Sequence, residues 1–339
     1  MGTNEEILLR AQAGVETTRG TAVAATRKVY AQIEPTYTRA LAQRRNTTGS
    51  YIGRREAAYN RERIAFAASE EASFEDLPWW LQMAVDKTAT GGSGDAGTPK
   101  MYTYTFNPSL TADNLGAFTL EFGEATNKWE SDQTMINTLT LRMDSDNDSE
   151  PTWMIEADMM ARTWVDTTFT TALPDRAREL ILARGTKLYI DADGGSFGGT
   201  QVTGKLISAS ATINNNIHYK AFAEDIRGYA ANKVGRGELT IDAEVTFEFD
   251  DDVEFGNYRN ETSDNAPVLR LVRLEREGAV IHDAVTSKFT LDIAGYWSAW
   301  SRSNREGNLT ATMTLSGIYD VTTSTMFKAV VLNDLSVMS

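Results

Sequence analysis

Between Leu239 and Phe249 the chain alternates without a break. Leu239, Ile241, Ala243, Val245, Phe247 and Phe249 fall on one side, and Thr240, Asp242, Glu244, Thr246 and Glu248 on the other. A period of two sustained over this length is the pattern of a half-buried β-strand, because successive side chains point to opposite faces of a sheet. The same alternation recurs at Ile207/Ala209/Ala211/Ile213, Leu139/Leu141/Met143, Phe289/Leu291/Ile293 and Leu309/Ala311/Met313/Leu315, with Thr, Ser, Asp or Glu between. Antiparallel sheets with one wet face read this way. Further strands are expected at 28–33, 101–106, 118–122, 153–160, 187–191 and 268–274. The expected class is all-β, a sandwich or barrel with one or two short covering helices.

Two helices are expected against this background. Ser73-Phe74-Glu75-Asp76 reads as a capping box and Pro78 suits a first turn, while Leu77, Trp80, Leu81, Ala84 and Val85 form an apolar stripe; these predict a helix over 76–87 that covers a sheet. A second is expected over 174–184, with Ala177, Leu180 and Ile181 on one side and Gly185 as its stop. The Gly- and Ser-rich stretches 88–99 and 191–199 are expected to protrude as loops.

At 339 residues the chain has room for about two domains of roughly 150 residues each. The halves share a rough order of elements. Residues 63–75 resemble 237–250, 102–106 stand where 269–274 stand, and 136–160 resemble 289–319 as a pair of strands around a polar turn, which is a weak sign of duplication. The resulting organisation is an N-terminal arm over 1–27, a first β domain over 28–172, a connecting helix over 173–185 and a second β domain over 186–339.

Composition narrows the chemistry. Thirty-three Lys and Arg against 47 Asp and Glu leave a net charge of −14, which opposes static binding to a phosphate backbone. There is no cysteine, which removes disulfides, thiolate metal sites and cysteine nucleophiles, and only His218 and His282 can supply an imidazole. The acidic start leads into no apolar signal core, Glu6 stands where myristoylation needs Ser or Thr, and no apolar stretch approaches the roughly 18 residues of a membrane span. The expectation is a soluble chain made in a cytoplasm, without cofactor or metal.

Three motifs carry weaker signals. Gly194-Gly195-Ser196-Phe197-Gly198 has the spacing of a nucleophile elbow, but a strand rather than a helix is expected after it. Asp144-Ser145-Asp146-Asn147-Asp148 opens like a calcium loop, then places Ser149 at the glycine position and Ile155 at the bidentate glutamate position. Arg39, Arg44, Arg45, Arg54, Arg55, Arg61 and Arg63, interleaved with Tyr37, Tyr51 and Tyr59, have the make-up of a nucleic-acid surface. In a chain this acidic the same strip suits an acidic partner subunit better. Residues 238–254 supply such a partner, with Glu238, Asp242, Glu244, Glu248, Asp250, Asp251, Asp252 and Glu254 and no basic residue. Arg44, Arg45, Arg54 and Arg55 are therefore inter-subunit candidates, and no residue is put forward as catalytic.

Several runs resemble one family. Glu16-Thr17-Thr18-Arg19-Gly20-Thr21-Ala22 is similar to the opening of the tail-tube (major tail) proteins of long non-contractile-tailed bacteriophages. Ala72 through Leu81 (ASFEDLPWWL) resembles their strand into an F-E-D-L-P helix; Tyr102 through Ser109 and Val202 through Ser208 are similar to later strands. The resemblance implies a virion structural protein whose β-sandwich units close into rings and stack as a tube, with partners that are further copies of itself, the tape-measure protein and tail-end proteins, and with double-stranded DNA in transit. On that expectation Asp242, Glu244 and Glu248 are candidates to line an acidic channel, and Gly91, Gly92, Ser93, Gly94 and Asp95 to bridge neighbouring rings. Three chains make a pseudo-six-fold ring if each half is one tube unit; six are needed otherwise. A secreted carbohydrate-binding or adhesin-like β-sandwich is the alternative.

Overall fold

A computed structural model of the chain describes residues 9–45, 47, 49, 51–52, 54–93, 101–223, 233–250, 253–259, 266–305 and 307–338. Strands take up 56% of it and helices 5%, which makes it an all-β protein with a sandwich or barrel architecture. The first half runs β1 (Arg10–Val15), β2 (Arg27–Val29), β3 (Gln32–Arg45), β4 (Arg54–Glu71), α1 (Leu77–Ala84), β5 (Gly92–Ser93), β6 (Tyr102–Phe106), β7 (Phe118–Gly123), β8 (Lys128–Asp144), β9 (Met154–Ala161) and β10 (Val165–Asp166). The second runs β11 (Lys187–Ala192), β12 (Gln201–Val202), β13 (Leu206–Asn214), β14 (Ile217–Tyr219), β15 (Val234–Arg236), β16 (Thr240–Glu248), α2 (Val253–Arg259), β17 (Leu269–His282), β18 (Val285–Arg305), β19 (Asn308–Gly317) and β20 (Phe327–Asn333).

The pairings of the first half recur in the second in the same order. In the first, β2–β1–β7–β8 with β10 on the far edge of β8 forms one sheet, and β8–β9–β4–β3 another. In the second, β12–β11–β17–β18 with β20 on the far edge forms one, and β18–β19–β16–β13 another. In each half a single long strand serves both sheets. β8 bends at Gln133, a non-glycine residue with φ of 47°. β18 bends beside Gly295, where a Cβ would lie 2.3 Å from the Ser316 carbonyl oxygen. Past each bend the ladder takes one extra residue, between Ile136 and Thr138 in β8 and between Trp297 and Ala299 in β18. The strand matching β17 is β7 rather than β6, which corrects the pairing of 102–106 with 269–274. β6 is an addition that joins β20 and so extends the second half's sheet.

β13 joins the halves, because it pairs on its second edge with β8. One sheet of β3–β4–β9–β8–β13–β16–β19–β18 therefore runs through the whole chain. Its inner face supplies Ile136, Leu139, Leu141, Ala209, Ala211, Ile213, Ile241, Val245, Met313 and Leu315, all 3% exposed or less, to a core that continues through both halves. α1 lies over the first half with Trp79 and Trp80 each 1% exposed and their rings 4.9 Å apart, edge to face. The expected box forms only in part: Ser73 Oγ accepts from the Asp76 N–H at 3.0 Å and donates to its carboxylate, but the helix starts one residue later, with Asp76 at the N-cap and no side-chain cap of its own.

The expected helix over 174–184 is absent. The stretch is extended, with Ile181 and Ala183 buried and Leu180 exposed between β-type contacts. Its backbone is claimed by neighbours: Ile181 N–H donates to Ala72 O at 2.8 Å, Trp153 N–H to Ile181 O at 2.7 Å, and Ala183 N–H to Pro151 O at 2.9 Å. These long-range bonds, together with Arg178 reaching Asp76 (2.6 Å) and Glu70 (2.7 Å), outweigh a helical spacing carried by only three residues. A helix that the acidic sequence conceals, α2, sits instead at 253–259, and its Glu254, counted above in the acidic run, turns partly inward. Glu254 accepts from Arg270 Nε at 2.9 Å and Trp297 Nε1 at 2.9 Å.

Candidate assembly surface

The outer face of the through-running sheet is a lattice of hydroxyls and carboxylates. Thr140 and Thr212 bond each other at 3.0 Å, Thr246 and Thr312 at 2.9 Å, and Ser303 and Thr310 at 2.7 Å. Asp242 and Glu244 are exposed on this face of β16 and Glu248 is half-buried at its end, so the three channel candidates share one surface. Asp242 accepts from Ser316 Oγ at 2.8 Å, and across the two flanking ladders β13 and β19 oppose the three carboxylates with Ser210, Thr212, Thr310, Thr314 and Ser316. Arg142, one strand further, is held by Glu150 and Glu156, each at 2.6 Å. The face is thus acidic and hydroxyl-rich around β16.

β3 and β4 continue past the sheet as a two-stranded arm. Residues 39–44 and 54–60 are exposed wherever their side chains are described. Leu41 is 45% exposed, Tyr59 63% and Ile52 74%. Arg44 and Arg54 lie here, Arg54 donating to Gln43 Oε1 at 3.1 Å, and Arg39 stacks on the Tyr59 ring at 4.6 Å. Arg45 and Arg55 belong to the same strands, with side chains outside the described residues. A ribbon of two strands is at best marginally stable in water by itself.

The expected protruding loop is anchored where it begins. Thr88 N–H donates to the Asp86 carboxylate at 2.9 Å, and Gly92–Ser93 pair with Thr103 and Tyr102 as β5. Gly91 lies against Tyr104, whose ring would be 2.8 Å from a Cβ there. Gly94 and Asp95 fall outside the described residues. The loop of the elbow motif is closed by Asp191, which accepts the N–H groups of Gly198, Gly199 and Thr200 at 2.9, 3.0 and 2.7 Å, and β12 follows it. Ser196 is exposed on a strand-to-strand turn, which lacks the helix an elbow requires. The calcium-like run is a turn between β8 and β9, with Asp144 capping the Asp146 N–H at 3.0 Å and Asp146 paired to Arg305 at 2.5 Å. Among the described residues no group of three or more His, Asp or Glu is placed to hold a metal ion.

Two of the runs that carry the family resemblance hold buried polar junctions, at Glu16 and at Asp76. Glu16 accepts from Gln133 N–H and Gly20 N–H at 2.7 Å each and from Thr119 Oγ1 at 3.0 Å, which locks a turn completed by Gly20 at φ 79°. Burial pushes its carboxyl above the usual range. Asp76, 1% exposed, is met by Arg27 at 2.5 Å, Arg178 at 2.6 Å and Arg176 at 3.6 Å. Beside it Glu70 accepts from Trp80 Nε1 at 2.9 Å, and burial together with the Asp76 charge pushes it up to about 7. Glu70 and Asp76, with Arg27 and Arg178, tie β2, β4, α1 and the 173–185 stretch together.

Sequence reasoning misses two features. One is an apolar groove of about 1050 Å³ between β1, β2 and the start of β3, lined by Ala11, Val29, Ile33, Pro35, Phe122 and Trp129 among others. The other is the stretch of β18 beyond Tyr296, which pairs on one edge with β19 and is met by α2, with Phe255 against the Trp300 ring at 4.4 Å and Glu254 accepting from Trp297 Nε1 at 2.9 Å; no strand pairs with its other edge among the described residues. Neither has a local signature, since each is created by what the fold leaves unpaired. No protein-family model matches the chain, and no curated protein matches it in sequence.

Proposed function

We propose that the chain is a tube-forming structural protein of a long non-contractile phage tail, polymerising as stacked rings around a channel that passes double-stranded DNA. The observation that carries this reading is the duplicated topology joined through β8 and β13: the long sheet that results ends on β3 at one side and on β18 at the other, so its two ends differ. Such ends are heterologous, and heterologous contacts make rings or filaments. The acidic, hydroxyl-rich outer face suits a wall along which a polyanion slides without adhering, with Asp242, Glu244 and Glu248 toward the lumen. The arm and the loop after β5 are the parts that reach neighbouring rings, with Arg44, Arg45, Arg54 and Arg55 meeting acidic surface there. In this reading three chains make a pseudo-six-fold ring, the tape-measure protein occupies the lumen during assembly, tail-end proteins close the tube, and the product resides in the virion.

Negative-stain microscopy of the purified chain tests the proposal. Rings or tubes with an open lumen are the expected result. Dispersed monomers that bind glycans would overturn it in favour of the carbohydrate-binding sandwich.

A further inference from the structure

The chain enters β1 through an apolar run, Ile7-Leu8-Leu9, that follows Glu5-Glu6. Residues 1–8 lie outside the described residues. Leu9, the first described, sits on the wall of the apolar groove between β1, β2 and the start of β3, with 53% of its surface exposed. We propose that this groove is a peptide site whose occupant is the chain's own segment 5–8, with the Ile7 side chain seated against Val29 and Ile33. The inference goes beyond the assembly reading and concerns the dispersed chain, so neither depends on the other.

Alternation places the side chains. Successive residues of an extended segment point to opposite faces. Ala13 belongs to the core and Ala11 packs against it, with Ala11 opposite Val29 across the β1–β2 ladder. Carrying the extended course of β1 back from Arg10 puts Leu9 and Ile7 on the Ala11 side, and Leu8 and Glu6 on the other. The groove is what the Ala11 side meets there, with Val29, Ile33, Pro35, Phe122 and Trp129 in its walls. Its volume of about 1050 Å³ is that of a pocket for a drug-sized ligand, which a four-residue stretch resembles in bulk.

Charge agrees with the same occupant. The described residues that line the groove include Arg10 and Lys28 and no carboxylate, in a chain with 47 Asp and Glu. Arg10 makes no ion pair with a described residue, and Lys28 reaches Asp175 at 2.6 Å, on a side chain 82% exposed. Segment 1–8 carries Glu5 and Glu6 and no basic residue. Exposed ion pairs add little affinity, but they set orientation. The tether decides between copies: a link this short holds the chain's own segment at an effective concentration on the order of millimolar, which a second copy at micromolar concentration does not match. Seated there, the segment also covers apolar walls that would otherwise be open to association.

The chain has no cysteine, so a disulfide reports the contact directly. Ile7→Cys/Ile33→Cys is oxidised as the dispersed chain and digested with trypsin, and mass spectrometry looks for the peptide ending at Arg10 joined to the one beginning at Val29. Leu8→Cys/Ile33→Cys is the control for alternation. The expected result is a joined pair at least tenfold more abundant for Ile7 than for Leu8, and no covalent dimer when the two single-cysteine chains Ile7→Cys and Ile33→Cys are mixed. Equal joining of the control overturns the seating, and dimers from the mixture mean that the groove takes a second copy's segment and overturn the proposal. Independently of cysteine, Ile7→Asp should raise the fluorescence of the apolar dye anilinonaphthalene sulfonate at least fivefold by opening the groove, while Leu8→Asp changes it less than twofold. No difference between these two variants also overturns the proposal. Light scattering follows assembly separately, so failure of the seating leaves the tube reading standing, and failure to assemble leaves the seating standing.

Discussion

Stability of the dispersed subunit is expected to fall as pH rises from 5 to 8, and Glu70 is the main reason. Its carboxyl is buried between α1 and the 173–185 stretch with Asp76 nearby, and it titrates at about 7 against an ordinary value of 4.5. Between those two values the native state holds a proton that the unfolded chain has released. Unfolding then takes place with proton loss, so raising pH favours the unfolded state. At 1.36 kcal/mol per unit, a shift from 4.5 to about 7 corresponds to about 3 kcal/mol lost across this window. For a chain of this length that is about 4 °C in melting temperature. Glu16, Glu75 and Glu130 are raised by burial and act in the same direction, while Asp113 and Asp320 are lowered by their hydrogen bonds and act only below pH 4. The assay is urea unfolding followed by tryptophan fluorescence at pH 5.5 and 8.0, on the wild type and on Glu70→Gln. The amide keeps an acceptor for Trp80 and cannot ionise, so the variant should lose most of the pH slope. A variant with the full wild-type slope, or a wild type equally stable at both pH values, would refute the assignment.

Gly295→Ala should destabilise by more than about 2 kcal/mol, because its Cβ would meet the Ser316 carbonyl at 2.3 Å where β18 turns from one sheet to the other; thermal melting measures it. Trp80→Ala removes a ring 1% exposed and strands Glu70, with an expected cost of about 3–5 kcal/mol in the same assay. Replacing Asp242, Glu244 and Glu248 together by Lys should leave the fold intact and make tubes retain DNA at low salt, with the retention falling steeply as salt rises; unchanged ejection from virions carrying the variant removes these residues from the channel wall. Deleting 94–97 spares β5 and should give a folded subunit that polymerises poorly, whereas normal tubes would remove that loop from ring stacking.

How much the sequence discloses depends on how local the cause is. β16 is legible because a wet face and a dry face alternate for its whole length, and the same alternation is enough to put Asp242, Glu244 and Glu248 on one surface. α1 is legible through Ser73, Pro78 and its apolar stripe. The 173–185 stretch misleads because three apolar residues at helical spacing carry less weight than the backbone bonds offered by Ala72, Pro151 and Trp153, which lie far off in sequence. α2 is hidden because none of its residues is buried, so no periodic signal exists to find. The arm of β3 and β4 escapes for a related reason: with both faces exposed, its strands need not alternate. The duplication shows only as a drifting resemblance, since Gln133 in one half and Gly295 in the other make the same bend with different residues, and β5, β6, β14 and β15 interrupt the correspondence.

An internal copy of an interface also constrains the number of subunits. If the junction between chains repeats the β13–β8 junction within a chain, every half is related to the next by one rotation, and the ring closes only when whole turns are made of paired halves. Three chains require a rotation of about 60° per half and two or four chains about 90° or 45°. The isolated subunits carry a net charge of −14 and repel one another. Raising ionic strength screens that repulsion within a Debye length of about 10 Å at 0.1 M salt and should drive assembly. Native mass spectrometry on either side of the transition is expected to show monomers giving way to a species of three chains. A closed ring of six would mean that the contact between copies differs from the one inside the chain, and the equivalence of the halves would then not extend to their assembly.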